Sequence, residues 1–261
     1  MGFTIGGSRG IRETRTGARR RGRMSECTAV AEFTGLWGWA VVPGARAASG
    51  SCSCGDTRCT APGAHPLRFA GELPAGATLD EVTRAWGEFP GAAAMLPAGR
   101  TFDILEVSES AGRRALIRLE RMGLPLGPVI STPDRRAWFF VAPGAAAELP
   151  SLLYRMGWDD ADLDLRGLGH GDFITAPPSD RAGLGPVRWL RAPALDSASN
   201  PPQARLVLGA LAYASHRTGP RRSWRNWASA ARSWPRRSMR RPSGAVNVPR
   251  LSRSWGSGVG P

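Results

Sequence analysis

The stretch TFDILEVSESAGRRALIRLERMG, residues 101–123, decides the fold. Phe102 to Val107 is a short run rich in apolar residues and free of Gly and Pro, which predicts a strand. From Ala111 the apolar positions Ala115, Leu116, Leu119 and Met122 fall at helical spacing, and Gly123 is placed to end the helix. A strand that feeds directly into a helix therefore lies at the middle of the chain. The segments on either side tell which kind of sheet it joins.

Upstream, Trp37 to Pro43 reads as a short apolar strand ended by Pro-Gly. Thr78-Leu-Asp-Glu81 is a capping box, in which the Thr hydroxyl accepts from the N3 amide while the Glu reaches back, and it predicts a helix to about Glu88. Pro90-Gly91 stops that helix, and Ala92 to Leu96 is expected to pair with 102–107 around the turn Pro97-Ala-Gly-Arg100. Downstream, Pro128 to Ser131 and Ala137 to Val141 flank Thr132-Pro-Asp-Arg135 as a hairpin, and Ala145 to Met156 is amphipathic and helical. Leu163 to Leu165 and Phe173 to Ala176 are expected to pair across a Gly-rich turn, Val187 to Leu190 is a further strand, and Pro201 to His216 is the last helix. Hairpins mixed with isolated helices predict an α+β fold with a mainly antiparallel sheet, not a doubly wound parallel one. No internal repeat is visible.

Composition sets outer bounds. The chain has 261 residues, 42% of them apolar and 21% charged, enough for a substantial core. No stretch approaches the ~18 consecutive apolar residues of a membrane span, and the basic N-terminus lacks the apolar run of a signal peptide. A cytoplasmic protein without membrane contact is the expectation. All 35 basic residues are Arg, which reads as the composition of a GC-rich genome rather than as evidence for a nucleic-acid partner. The distribution of charge says more. Residues 1–24 hold seven Arg against Glu13, residues 25–196 hold sixteen Arg against twenty acids, and residues 197–261 hold twelve Arg and no acid. A mildly acidic body is thus flanked by two basic ends. The expected division is a basic segment 1–24, a folded domain 25–216, and a basic, disordered tail 217–261 in which Trp224, Trp227, Trp234 and Trp255 stand among arginines. Such a tail suits polyanion binding with base stacking, a solvated end, or the product of a shifted reading frame in GC-rich DNA, and the sequence leaves the three open.

Cys52, Cys54, Cys59 and His65 follow a C-x-C-x4-C-x5-H spacing inside a loop rich in Gly and Pro. Three thiolates and an imidazole can close a tetrahedral zinc site, and a loop with little core of its own is where such a staple is useful. Ordinary loop thiols beside a surface His are the alternative, and Cys27, which stands apart, reads as a core thiol.

Taken together, GWAVVPGARA (38–47), CSCGDTRCTAPGAHPL (52–67), AAAMLPAGRTFDILEVSESAGRRALIRLERMG (92–123) and LDLRGLGHGDFITAPPSDRAGLGPVRWL (163–190) resemble the N-terminal domain of bifunctional DNA primase/polymerases, in particular the actinobacterial branch. The resemblance runs from about Thr34 to Leu190 and excludes both basic ends. It implies an RRM-like primase/polymerase palm carrying the zinc loop as an insertion, and template-directed nucleotidyl transfer assisted by two Mg or Mn ions. It also implies DNA or nucleotides as ligands and a replication-type protein partner.

On that resemblance the catalytic positions are Glu106, Ser108 and Asp164, and the nucleotide-binding positions are Arg166 and Ser179. The family places an acidic pair, Asp-x-Asp or Asp-x-Glu, at the end of the strand that precedes the helix, and a His on the strand after the hairpin. Here Glu106-Val-Ser108 and Ala137-Trp138-Phe139 occupy those places. Glu109 could partly replace the missing carboxylate. Two of the four expected groups are altered, so the expectation is a primase/polymerase-type domain that binds nucleotides or nucleic acid with degenerate transferase activity. The alternative is a non-enzymatic nucleic-acid-binding or regulatory module acting through its Arg/Trp-rich tail.

Overall fold

A computed structural model describes residues 26–48, 51–158 and 161–218, with the side chain of Thr218 excepted. The two basic ends, and every expectation placed on residues 1–24 and 219–261, lie outside the described residues. The elements are α1 (26–35), β1 (Val42–Gly44), β2 (Ala47–Ala48), β3 (Ser51–Cys52), α2 (Leu79–Glu88), β4 (Ala93–Pro97), β5 (Asp103–Ser108), α3 (Glu109–Arg121), β6 (Val129–Ser131) and β7 (Arg136–Val141). They continue with α4 (Ala145–Arg155), β8 (Leu165–Leu168), β9 (Phe173–Thr175), β10 (Arg188–Arg191), α5 (Leu195–Ser199) and α6 (Ala204–Thr218). Five strands form one sheet in the order β10-β6-β7-β5-β8, three form a smaller sheet β1-β4-β9, and β2-β3 is a two-stranded ribbon. Every pairing of these strands is antiparallel, as the α+β expectation requires.

Alternation along the central strand explains how one apolar run serves two cores. Ile104 packs with Trp39, Phe102, Trp138 and Phe140 on the face that meets the small sheet, α1 and α2, whereas Leu105 and Val107 point the other way into a core shared with α3, α4 and α6. The helix-covered face is closed tightly. Gly112 lies in α3 where it crosses β7, and a Cβ there would stand 2.4 Å from the Ala137 methyl group, so the helix approaches as closely as it does because position 112 has no side chain. At the start of α2 the capping box forms as read, with the Thr78 hydroxyl accepting from the Glu81 N–H and the Glu81 carboxylate accepting from the Thr78 N–H.

Two expected hairpins are instead crossings between sheets. β4 and β5 do not pair with each other: β4 lies between β1 and β9, while β5 lies between β7 and β8. Likewise β8 pairs with β5 and β9 with β4. The physical reason is burial on both faces. β4 and nearly all of β5 are buried, so each needs neighbours on two sides and a layer on each face, which a two-stranded hairpin cannot supply. The chain passes from the small sheet to the large one near Gly99 and returns near His170, and these two turns touch. A Cβ on Gly99, at φ +88°, would meet the His170 backbone nitrogen at 2.3 Å.

Asp103, which opens β5, is buried, and its Oδ2 accepts the Ala146 N–H at 2.8 Å. It thereby caps α4 from another element, since the residue at the helix start is Gly144 and offers no side chain. Burial pushes the Asp103 carboxyl above the usual carboxylate range, against the pull of the Ala146 and Gly144 N–H groups. Among the described residues no helix is long and apolar enough to cross a membrane.

Candidate functional site

The face of the five-stranded sheet opposite α3, α4 and α6 carries the residues singled out at the strand ends. Cross-strand register builds the site in rows. Glu106 on β5 is paired with Trp138 on β7 and with Arg166 on β8, and Ser108 is paired with Arg136. Asp164 precedes β8 and extends the second row beside Ser108 and Arg136. Three of the expected residues, Glu106, Asp164 and Arg166, are therefore brought together.

What joins them is Arg136, a residue to which the sequence reading gave no role, between the turn 132–135 and the strand expected from Ala137. Arg136 Nη1 and Nη2 donate to Asp164 Oδ2 and Oδ1, both at 2.7 Å, in a bidentate pair, and its Nε donates to Glu106 Oε1 at 3.1 Å. Glu106 Oε2 accepts from Trp138 Nε1 at 2.7 Å and from Arg166 Nη2 at 3.0 Å. All four carboxylate oxygens of the pair thus accept from protein donors. Glu106 is only 7% exposed, so these bonds satisfy a charge that burial would otherwise penalise. Burial also works against the charge on Arg136, but the Asp164 hydrogen bonds and the charges of Glu106 and Asp164 outweigh it and hold the guanidinium above its ordinary range. A third guanidinium, Arg181, lies 4.8 Å from the centre of the Trp138 ring.

Ser108 has a different occupation. It is the N-cap of α3, and its hydroxyl accepts from the Ala111 N–H at 3.4 Å. Glu109 does not fill the gap left by the missing carboxylate. Its side chain accepts from Arg113 and from the Ser131 hydroxyl and pairs with Arg135, and the Arg113 bond, working against burial, holds its carboxyl below the usual range. Ser179 is buried, with its hydroxyl accepting from the Ala94 N–H at 2.8 Å, so it ties β4 to the turn after β9. Trp138 is a core residue, as its apolar surroundings suggest, though its ring nitrogen serves the site.

These carboxylates do not fit a pair of divalent cations. Mg and Mn need free carboxylate oxygens facing an empty position, whereas here a guanidinium fills the space between Glu106 and Asp164. The register would have revealed Arg136: once Glu106 and Trp138 are opposite each other, position 136 must fall opposite 108. The hairpin register was not readable from the turn residues alone.

The second cluster is the cysteine loop. The ligand atoms of Cys52, Cys54, Cys59 and His65 all lie within 4.8 Å of one another, and the four residues could hold a metal ion. His65 Nε2 is 3.3 Å from both Cys52 Sγ and Cys59 Sγ, while Nδ1 faces the Pro66 carbonyl at 2.8 Å. Donation from Nδ1–H to that carbonyl fixes the tautomer and leaves Nε2 as the ligand atom. Zn–S bonds of ~2.3 Å in a tetrahedron set the sulfurs about 3.8 Å apart, so closing the site on zinc needs shifts of about 1 Å or less. Burial opposes ionisation at both flanking thiols. At Cys52 the Cys54 and Gly63 backbone groups, with the Cys54 and His65 side chains, outweigh it and bring the thiol down to about 6, whereas Cys59, beside Cys52 and Cys54, is pushed up to about 11. Backbone bonds from Ala45 N–H to the His65 carbonyl and from Leu67 N–H to the Pro43 carbonyl anchor the end of the loop beside β1. Cys27 is separate and buried in the core.

The family model described as bifunctional DNA primase/polymerase, N-terminal, matches residues 31–204. No curated protein and no solved structure matches the chain. The matched span covers two thirds of the sequence and contains both the cluster around Glu106 and Asp164 and the cysteine loop, so the chain belongs to the bifunctional DNA primase/polymerase N-terminal family.

Proposed function

We propose that this is a primase/polymerase-type domain that binds nucleotides or nucleic acid but has lost two-metal nucleotidyl transfer. The observation that carries the reading is Arg136 between Glu106 and Asp164, with every oxygen of the two carboxylates accepting a hydrogen bond. A polymerase of this family has to gather negative charge on this face to hold cations. This chain sets Arg136 and Arg166 on the two carboxylates and Arg181 beside Asp134, so no carboxylate charge on the face is left uncompensated. Guanidiniums are the side chains suited to recognising phosphate, and with every oxygen of Glu106 and Asp164 already accepting a bond none is left for a metal ion. Arg166 is the guanidinium we assign to phosphate contact, Glu106 and Asp164 orient the arginines, and Ser108 and Ser179 shape the helix start and the turn. Cys52, Cys54, Cys59 and His65 hold a structural zinc that orders the loop.

The test is a primer-synthesis and primer-extension assay with Mg and with Mn, run beside Asp164→Ala, together with oligonucleotide binding in EDTA. No synthesis above the Asp164→Ala background, with binding insensitive to EDTA at constant ionic strength, is the expected result. Manganese-dependent synthesis by the unaltered protein, abolished by Asp164→Ala, would overturn the reading.

A further inference from the structure

We infer that the slot between α1 and β10 is a subsite for one guanine base. The inference rests on the nucleotide- and nucleic-acid-binding reading above and adds the ligand class of a second place on the domain. The slot has a volume of about 360 Å³ and is walled by Trp37, Trp189, Pro178 and the α1 residues Thr28 and Glu32. That volume lies toward the lower end of the ~300–1,000 Å³ of small-ligand sites, the size for a base rather than a whole dinucleotide. Trp37 and Trp189 are half-buried, with ring centres 6.1 Å apart and planes at 88°. Their inner edges are held by Phe33, Trp39 and Phe140, so the rings are fixed in orientation before a ligand arrives.

Position on the sheet ties the slot to Arg181. Trp189 is paired with Ile130, Ile130 with Trp138, and Trp138 with Glu106. Two strand spacings of ~4.8 Å separate Trp189 from Trp138, over whose ring Arg181 lies. The separation of about 10 Å matches the reach of one nucleotide from base to phosphate. A base stacked on an indole draws on the same attraction that single-strand binders use.

Glu32 selects the base. Glu32 lines the slot and is exposed, and its carboxylate has no hydrogen-bond or ion-pair partner among the described residues. A carboxylate offers two parallel acceptors, and guanine is the base whose pairing edge presents two adjacent donors, the ring N1–H and the exocyclic N2–H. Adenine and cytosine present one amino group beside an acceptor, and thymine one N–H between two carbonyls, so each places a lone pair against the carboxylate. Two indoles with a carboxylate also suit an alkylammonium ion. The rings here contact each other edge to face, which leaves no space between them for such an ion.

The test uses 2′-deoxynucleosides, which carry no phosphate and so read the slot apart from the arginines. Saturation-transfer NMR on the full chain, with Glu32→Gln and Trp189→Ala beside it, measures affinity for each nucleoside and for choline. The expected result is deoxyguanosine binding about tenfold tighter than the other three, a fall to their level in Glu32→Gln, and loss of all four in Trp189→Ala. Because Trp189 also packs on the core, the exposed Glu32 supplies the variant that leaves the fold intact. Equal affinity for the four nucleosides, a guanine preference that survives Glu32→Gln, no binding of any nucleoside, or binding of choline in their place would overturn the inference. Failure of the underlying reading shows separately, as absence of oligo(dT) binding at low salt by the unaltered protein.

Discussion

Replacing Arg136 with Met is the sharpest perturbation of the sheet face. It removes three guanidinium bonds, 2.7, 2.7 and 3.1 Å long, and keeps the aliphatic volume of the side chain. The charge left behind decides the size of the effect. Removing one partner of a fully buried ion pair costs about 3–5 kcal/mol because the other charge is stranded. Here the side chains of Arg136, Glu106 and Asp164 are 23%, 9% and 36% exposed, and Glu106 keeps its bonds from Trp138 and Arg166. Discounting for water at Asp164 gives a loss of about 2–3 kcal/mol, or roughly 5–10 °C in Tm for a domain of this size. The variant also frees an oxygen on Glu106 and both on Asp164, so manganese should now bind there. Thermal unfolding with and without millimolar MnCl2, at constant ionic strength and with the cysteine loop already loaded with zinc, reads both effects. Manganese should raise the Tm of Arg136→Met and leave that of the unaltered protein unchanged, as mass action requires for a ligand that binds only one of them. An Arg136→Met protein as stable as the parent, or equal stabilisation of both by manganese, would refute the argument that Arg136 fills the cation position.

Three further outcomes follow from the same structure. Protein purified without a metal-affinity tag should carry about one zinc per chain, and a Cys54→Ser, Cys59→Ser variant should carry none by elemental analysis. Glu109 has a depressed pKa in the folded chain, so its stabilisation is fully present above its unfolded pKa near 4.5 and is lost as pH falls through the lower folded value. Glu109→Gln should accordingly cost about 0.5–1 kcal/mol at pH 7, a cost that shrinks in denaturant titrations as pH falls below about 4.5. If residues 217–261 bind polyanions through their eleven arginines, truncation after His216 should remove the steeply salt-dependent, sequence-independent part of DNA affinity, which filter binding between about 50 and 200 mM salt will measure.

Local signals in the sequence carried the elements, and tertiary burial decided how they were joined. The capping box at Thr78, the helical spacing from Ala111 and the turn at 132–135 each depend on neighbours within a few residues, and each element formed where expected. The pairing of β4 with β9 and of β5 with β8 depends on partners about 60 to 80 residues away, and nothing near Pro97 or Gly169 distinguishes a hairpin turn from a crossing between sheets. The same limit applied at the site. Resemblance located Glu106, Asp164 and Arg166, but Arg136 belongs to no motif and acquires its role from the strand register.

That register changes what it would take to rebuild a metal site on this face. Supplying carboxylates at positions 106 and 108, and a His at 138, addresses the residues that depart from the family pattern but leaves Arg136 in place. Ser108→Asp keeps the α3 cap, since Asp caps as well as Ser, yet it sets a third carboxylate beside a guanidinium already held by two. The new charge would strengthen the grip on Arg136 before it attracted a cation, because a side chain tethered to β7 competes as a neighbour at high effective concentration while an ion must first shed water. Trp138→His would also delete the indole N–H that donates to Glu106 and the ring beneath Arg181. Arg136 and Trp138 therefore act with the two carboxylates as one unit, and a route back to cation binding has to begin with removal of Arg136.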